Sequence, residues 1–240
     1  MRLGLRLSSR PYLPPVKGLL VIAPHADDET LGCGGLIAAQ GQAGRPVEIV
    51  FLTDSAGSPP VAGLAETRRG EALAALEVLG VPAGRVHFLN LADGTLDRLP
   101  AGIVRETVDR LARLIRDRQP AEVLAPYRLG GSTEHTAAWH LAVAALAGAG
   151  GGRLLEYPIW AWWNPWRLRS RLGQPQDNFR LALGSRLAVK CRALACHQSQ
   201  VRPIPPGRDP ALPVSLARAC CGPTEFFFAS TIPPGQSRQP

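Results

Sequence analysis

The densest group of reactive side chains is Ala23-Pro-His-Ala-Asp-Asp-Glu-Thr30, where an imidazole and three carboxylates share one turn. Adjacent carboxylates repel one another, so a turn carrying Asp27, Asp28 and Glu29 calls for a compensating cation. His25 and Asp28, three residues apart, can face one divalent ion with a nitrogen and an oxygen, a donor pair suited to Zn²⁺. Asp27 is then left free to hold the metal-bound water. A helix N-terminus also welcomes carboxylates, but one cap needs one such residue and not a cluster.

A catalytic zinc takes three protein ligands and leaves a position for water. His135 follows the run Glu122-Val-Leu-Ala125 and a loop containing Gly130-Gly131, so it arrives at the same sheet edge as His25. His140, five residues later, points about 140° away around a helix, and His87 falls inside a strand. His135 is the expected third ligand. Cys33, between Gly32 and Gly34, has no evident basic partner and reads as a small packing residue.

The elements that deliver these groups follow from periodicity. Gly18-Leu-Leu-Val-Ile-Ala23 is wholly apolar, as in a strand buried on both faces of a parallel sheet. Pro46–Leu52, Val86–Asn90, Glu122–Ala125 and Arg153–Tyr157 are further strand candidates. Between them, Ile103–Arg118 places Val104, Val108, Leu111 and Ile115 on one helical face, and Ala65–Leu79 does the same before the stop at Gly80. The alternation predicts an α/β, Rossmann-like, mostly parallel sheet with helices on both faces and the active site at the carboxyl ends of the strands. One domain over residues 1–240 is expected, with 1–16 an N-terminal extension and 201–240 a proline-rich part read as extended loops and edge strands. The four indoles of Trp160–Trp166 read as core packing or a subunit contact, or as a wall for a sugar ring; a homo-oligomer is open.

The chain has 240 residues, 27 Lys+Arg against 19 Asp+Glu, a charge of +8 and 45% apolar residues, an ordinary globular balance. Of the cations 25 are Arg, spread along the chain without a zinc-finger or basic-aromatic module, which argues against a nucleic-acid partner. The apolar runs are too short for a transmembrane segment, which needs roughly 20 residues. The N-terminus carries no secretory pattern, so cytoplasmic localisation is expected. Five cysteines without a C-x-x-C pair read as reduced thiols.

Pro24-His-Ala-Asp-Asp-Glu29 resembles the P-H-P-D-D-E signature of the PIG-L/LmbE-like zinc-dependent N-deacetylases. Thr30-Leu-Gly-Cys-Gly-Gly35, Leu52-Thr-Asp54, Arg68-Arg-Gly-Glu71, Ala92-Asp-Gly94, Lys190 with His197-Gln-Ser-Gln200, and Thr224-Glu225-Phe226 continue the likeness in family order. The resemblance implies an enzyme that removes the N-acetyl group of a GlcNAc-like sugar or glycoconjugate. It implies Zn²⁺, or another divalent metal, on His25, Asp28 and His135, with Asp27 as general base. Arg68 would contact substrate and Asp93 would line the sugar pocket, while His197 reads either as an acid or substrate contact in the cleft or as a histidine hydrogen-bonded in a helix-end turn.

One departure stands out. The family reads H-x-D-H at its third ligand, whereas this chain reads Ser132-Thr-Glu-His135. Ser132 therefore stands where the family places the histidine that stabilises the oxyanion, and losing such a donor costs around 10²–10³ in kcat. A serine hydroxyl can still donate. The alternative is a weakly active or non-catalytic carbohydrate- or metal-binding homologue. The arginine surplus reads as solvated surface or, if it has a functional task, as attraction for an anionic substrate such as a nucleotide sugar or phospholipid-linked glycan. The sugar, its aglycone and the acyl group are not legible in the sequence.

Overall fold

Leu19–Ala23 is buried at every position, and alternate side chains enter two separate cores. Leu19, Val21 and Ala23 face one side of the sheet, Leu20 and Ile22 the other, as the two-residue period of a strand dictates. The computed structural model describes residues 1–57, 61–203 and 210–230. In chain order, α1 (Arg2–Leu7) and β1 (Arg10–Pro11) precede β2 (Leu19–Ala23), α2 (Asp28–Gln42), β3 (Val47–Thr53) and α3 (Leu64–Leu79). Then come β4 (Val86–Leu91), α4 (Ala101–Arg118), β5 (Glu122–Pro126), α5 (Thr133–Gly148) and β6 (Leu154–Tyr157). The later part adds α6 (Arg169–Leu172), β7 (Asn178–Ala182), α7 (Arg186–Leu194), α8 (Gln198–Val201), α9 (Val214–Cys220) and β8 (Thr224–Ala229).

The sheet runs β1-β7-β8-β6-β5-β2-β3-β4 and is parallel except where β8 pairs with β6 and β7. Helices α2, α3, α7 and α9 cover one face, and α4 and α5 the other. The α/β fold with helices on both faces is the expected one. Chain order reverses between β2 and β5, which pair directly, and this switch point opens a crevice beyond their carboxyl ends. The expected stop at Gly80 is a left-handed C-cap with φ +84°.

One expectation needs correction. The C-terminal part is not only loops and edge strands: Phe226, Phe227 and Phe228 are buried in β8, which lies inside the sheet between β6 and β7. Three consecutive aromatics are apolar on both strand faces and suit an interior position, while Pro213 and Pro223 sit just outside α9 and β8. Pro205, Pro206, Pro233 and Pro234 lie outside the described residues. The segment 1–16 also joins the fold, because Arg10 and Pro11 of β1 pair in parallel with Phe179 and Arg180 of β7 and form one edge.

Candidate metal centre and active-site cavity

The loop after β2 and the first turns of α2 and α5 meet at the crevice. His25 Nδ1 lies 3.2 Å from Asp28 Oδ2, and His135 Nε2 lies 3.3 Å from Asp28 Oδ1. One donor atom from each of the three residues falls within 4.8 Å of the others. His135 Nε2 is buried and has no hydrogen-bond partner among the described residues, although a carboxylate oxygen sits beside it. An orphaned buried imidazole nitrogen next to a carboxylate and a second imidazole fits a divalent cation with nitrogen and oxygen preference. The three residues picked out in the sequence do converge.

The electrostatics favour a positive guest. Burial works to raise the Asp28 carboxyl, but the imidazoles of His135 and His25 hold it well below the usual range. Burial and the adjacent Asp28 push the Asp27 carboxyl up to about 8. Burial opposes charge on His25, yet hydrogen bonds to Asp28, Asp93 and Glu134 keep its imidazole well above its ordinary value. So much negative charge around one imidazole needs either a proton or a metal ion to balance it.

Asp27 stands at the start of α2 without a side-chain capping bond, so its carboxylate is not occupied as a helix cap. It lines a cavity of about 490 Å³ together with His25, Asp28, Arg68, Asp93, Ser132 and Trp160. That volume lies in the range of small-ligand sites. Arg68, buried in α3, donates to the Ser55 carbonyl, and Asp93 Oδ2 accepts from Gly57 N at 2.8 Å. Ser132 is the N-cap of α5, its Oγ accepting from His135 N at 3.3 Å. The indoles divide: Trp160 walls the cavity, Trp162 packs inward under the Arg2 guanidinium, and Trp163 and Trp166 are exposed.

Glu134 contributes what the sequence did not signal. Its Oε2 lies 2.7 Å from His25 Nε2, with Asp93 Oδ1 at 3.1 Å from the same nitrogen, while its Oε1 accepts from Leu96 N at 3.2 Å. With Nδ1 turned toward Asp28, the far ring nitrogen of His25 can donate to a carboxylate, the arrangement that fixes tautomer and ring orientation in metal-ligating histidines. The signal available was its place at the Asp of the family's H-x-D-H beside His135, which marks the position but not the contact with His25. His140 is exposed and His87 pairs with Glu48 at 2.9 Å, both away from the site.

His197 does not take the cleft role. It is fully buried and does not line the cavity; its Nε2 lies 3.5 Å from Glu29 Oε1 and 3.4 Å from Thr30 Oγ1. It is packed in the core where α7 lies against α2 and α3, so its position there is not that of a cleft acid or substrate contact. The other late motif residues also grip α2. Lys190 Nζ donates to Leu31 O and Glu225 Oε1, each at 2.7 Å, and Glu225 accepts from Gly35 N at 2.7 Å and Leu36 N at 2.9 Å. Gly35 leaves the space this needs: a Cβ there would collide with Leu183 and come within 3.1 Å of Glu225 Oε2. Cys33 is buried in the core, as expected of a packing residue.

Residues 20–146, more than half of the chain, match the family described as PIG-L, GlcNAc-PI de-N-acetylase. A diacetylchitobiose deacetylase of Thermococcus kodakarensis is 30% identical over 196 residues, 77% of this chain and 70% of the relative. A 4-oxalmesaconate hydratase of Pseudomonas putida is 32% identical over 153 residues, 58% of this chain and 55% of the relative, so little more than half of that protein is spanned. Among solved structures, an N,N'-diacetylchitobiose deacetylase from Pyrococcus horikoshii superposes with a TM-score of 0.60 at 24% identity, covering 77% of this chain and 70% of that one, which supports the shared fold. The motif order, the α/β frame and the match over residues 20–146 agree: this chain belongs to the PIG-L family.

Proposed function

We propose that the cavity hydrolyses the N-acetyl group of a GlcNAc-like sugar or glycoconjugate, with His25, Asp28 and His135 holding Zn²⁺ or another divalent cation. The observation that carries this reading is the orphaned His135 Nε2 beside Asp28 and His25, with Asp27 on the same cavity wall. A bound divalent cation supplies Lewis acidity, acidifying water and polarising the amide carbonyl. Asp27 takes the proton from water as its oxygen bonds to the acyl carbon, then returns a proton to nitrogen as the C–N bond breaks, leaving acetate and a free amine.

Arg68 and Asp93, both on the cavity wall, are the groups that would contact the sugar. The Ser132 hydroxyl, accepting from His135 N, keeps its own proton to donate toward the carbonyl oxygen. The substrate class draws on the PIG-L match and on the Thermococcus relative's printed activity. An anionic glycoconjugate fits the surplus of arginines in the chain.

The test is acetate release from GlcNAc, diacetylchitobiose and an anionic GlcNAc conjugate, with zinc added and with zinc removed by chelation. Acetate release that needs the metal is expected. Asp27→Asn should lower kcat by about 10²–10⁴ while bound metal per chain stays near that of the unaltered protein. Metal binding without acetate from any of these compounds would favour the second reading, a non-catalytic sugar- or metal-binding homologue, which rests on Ser132 in the oxyanion position.

A further inference from the structure

Asp27 has φ +151° and ψ −26°, a backbone conformation that a residue with a side chain keeps only when its surroundings over-determine it. The peptide unit whose rotation would relieve that strain joins Ala26 to Asp27, and it is gripped at both ends. Its N–H donates to Glu29 Oε2 at 3.0 Å, and its carbonyl accepts from Gln200 Nε2. The neighbouring Ala26 N–H is tied as well, donating to Ser55 Oγ at 2.8 Å.

The Asp27 N–H also meets the His25 carbonyl at 3.1 Å within the turn, while the two side-chain grips trace back to one late segment. Glu29 is completely buried, accepts from Thr30 Oγ1 at 2.6 Å, and has the equally buried His197 Nε2 3.5 Å from its Oε1. Gln200 follows His197 by three residues. Between them Ser199 anchors the segment to α3, its N and Oγ donating to the Glu71 carboxylate at 2.7 and 2.6 Å. A buried carboxylate needs a fixed partner to stay where it is, and His197 supplies one from a position that the cavity does not reach.

We infer that His197 and Gln200 are positioning residues: they hold the strained Ala26–Asp27 peptide, His197 through Glu29 and Gln200 directly, and so aim the Asp27 carboxylate into the cavity. The inference rests on the reading of Asp27 as the base. It gives the His197–Gln200 motif a task without placing His197 on substrate.

Two variants test it, His197→Ala and Gln200→Leu, each made also in the Asp27→Asn background. Crystal structures of the metal-loaded proteins should show Asp27 at positive φ in the unaltered chain and at negative φ, with the peptide turned over, in both variants. Kinetically, His197→Ala should lower kcat about 10- to 100-fold, the scale of a misplacement near 1 Å, with KM and bound metal per chain unchanged. In the Asp27→Asn background it should change the residual rate by less than about twofold, because the group being aimed is gone. A role in folding alone would lower the thermal midpoint and leave kcat per folded molecule unchanged. Asp27 staying at positive φ in both variants, or an equal kcat loss in the two backgrounds, overturns the inference. If the unaltered protein releases no acetate, the functional reading fails, and the φ of Asp27 in the variants still decides the brace.

Discussion

Helix α2 holds two clusters of charge, one partly buried at its N-terminus and one buried about two turns along its length. In the second, Lys190 and Glu225 neutralise each other at 2.7 Å, and their remaining contacts go to Leu31 O, Gly35 N and Leu36 N. Burial works against charge on Lys190, yet Glu225 raises its pKa above the ordinary value. In the first cluster Asp27, Asp28, Asp93 and Glu134 outnumber the imidazoles of His25 and His135, and His135 Nε2 is left without a hydrogen bond among the described residues. Burial alone does not separate structure from function, since Asp27, Asp28 and His135 of the first cluster are buried like Lys190 and Glu225 of the second. Completeness does: one closes on itself, whereas the other needs a cation from outside.

The closed cluster offers the larger perturbation. Lys190→Met would leave Glu225 buried without its counter-charge, which costs about 3–5 kcal/mol. Urea denaturation should show that loss, with metal bound per folded chain unchanged. A loss below about 1 kcal/mol would mean that the pair does not hold α2, and the contrast between the clusters would fail from the structural side.

The open cluster should respond in affinity. Glu134→Gln keeps an oxygen acceptor for His25 Nε2 but removes its charge, and outer-sphere changes of this kind weaken metal binding about 10–100-fold. Competition against a chromophoric chelator reads the shift, and the unfolding midpoint of the metal-free protein should hardly move. Unaltered affinity would hand the orientation of His25 to Asp93, at 3.1 Å from the same nitrogen.

The two clusters also differ in how far the sequence exposes them. His25, Asp28 and His135 were readable because each follows an apolar strand run, and strand ends on one sheet edge must meet. The frame was readable for the same reason: Leu19–Ala23 and Val47–Thr53 are apolar throughout, and α4 shows its buried Leu111 and Ile115 at helical spacing. The burial of His197 behind α2 was not, because which side of a helix a late residue reaches depends on packing between α2 and α7, over 150 residues apart. The interior place of β8 depends likewise on pairing with β6 and β7, and its flanking prolines read locally as loop. Glu134 reaches His25 across 109 positions, a contact no local pattern encodes.

Ser132 is the point where the open cluster is satisfied from within, and it gives the smallest effect. Its φ of −104° and ψ of 130° are those of an N-cap, and its Oγ accepts from the amide of His135, so it steadies the turn that presents a metal ligand. Ser132→Ala removes that acceptor and should cost about 1 kcal/mol of stability, whereas Ser132→Asn, an equally good cap, should cost almost nothing. Chemical denaturation of the metal-free proteins measures both. A loss under about 0.3 kcal/mol for the alanine variant, below the usual range for a cap, would free the hydroxyl from structural duty and leave its place beside Asp27 in the cavity wall to be explained by substrate alone.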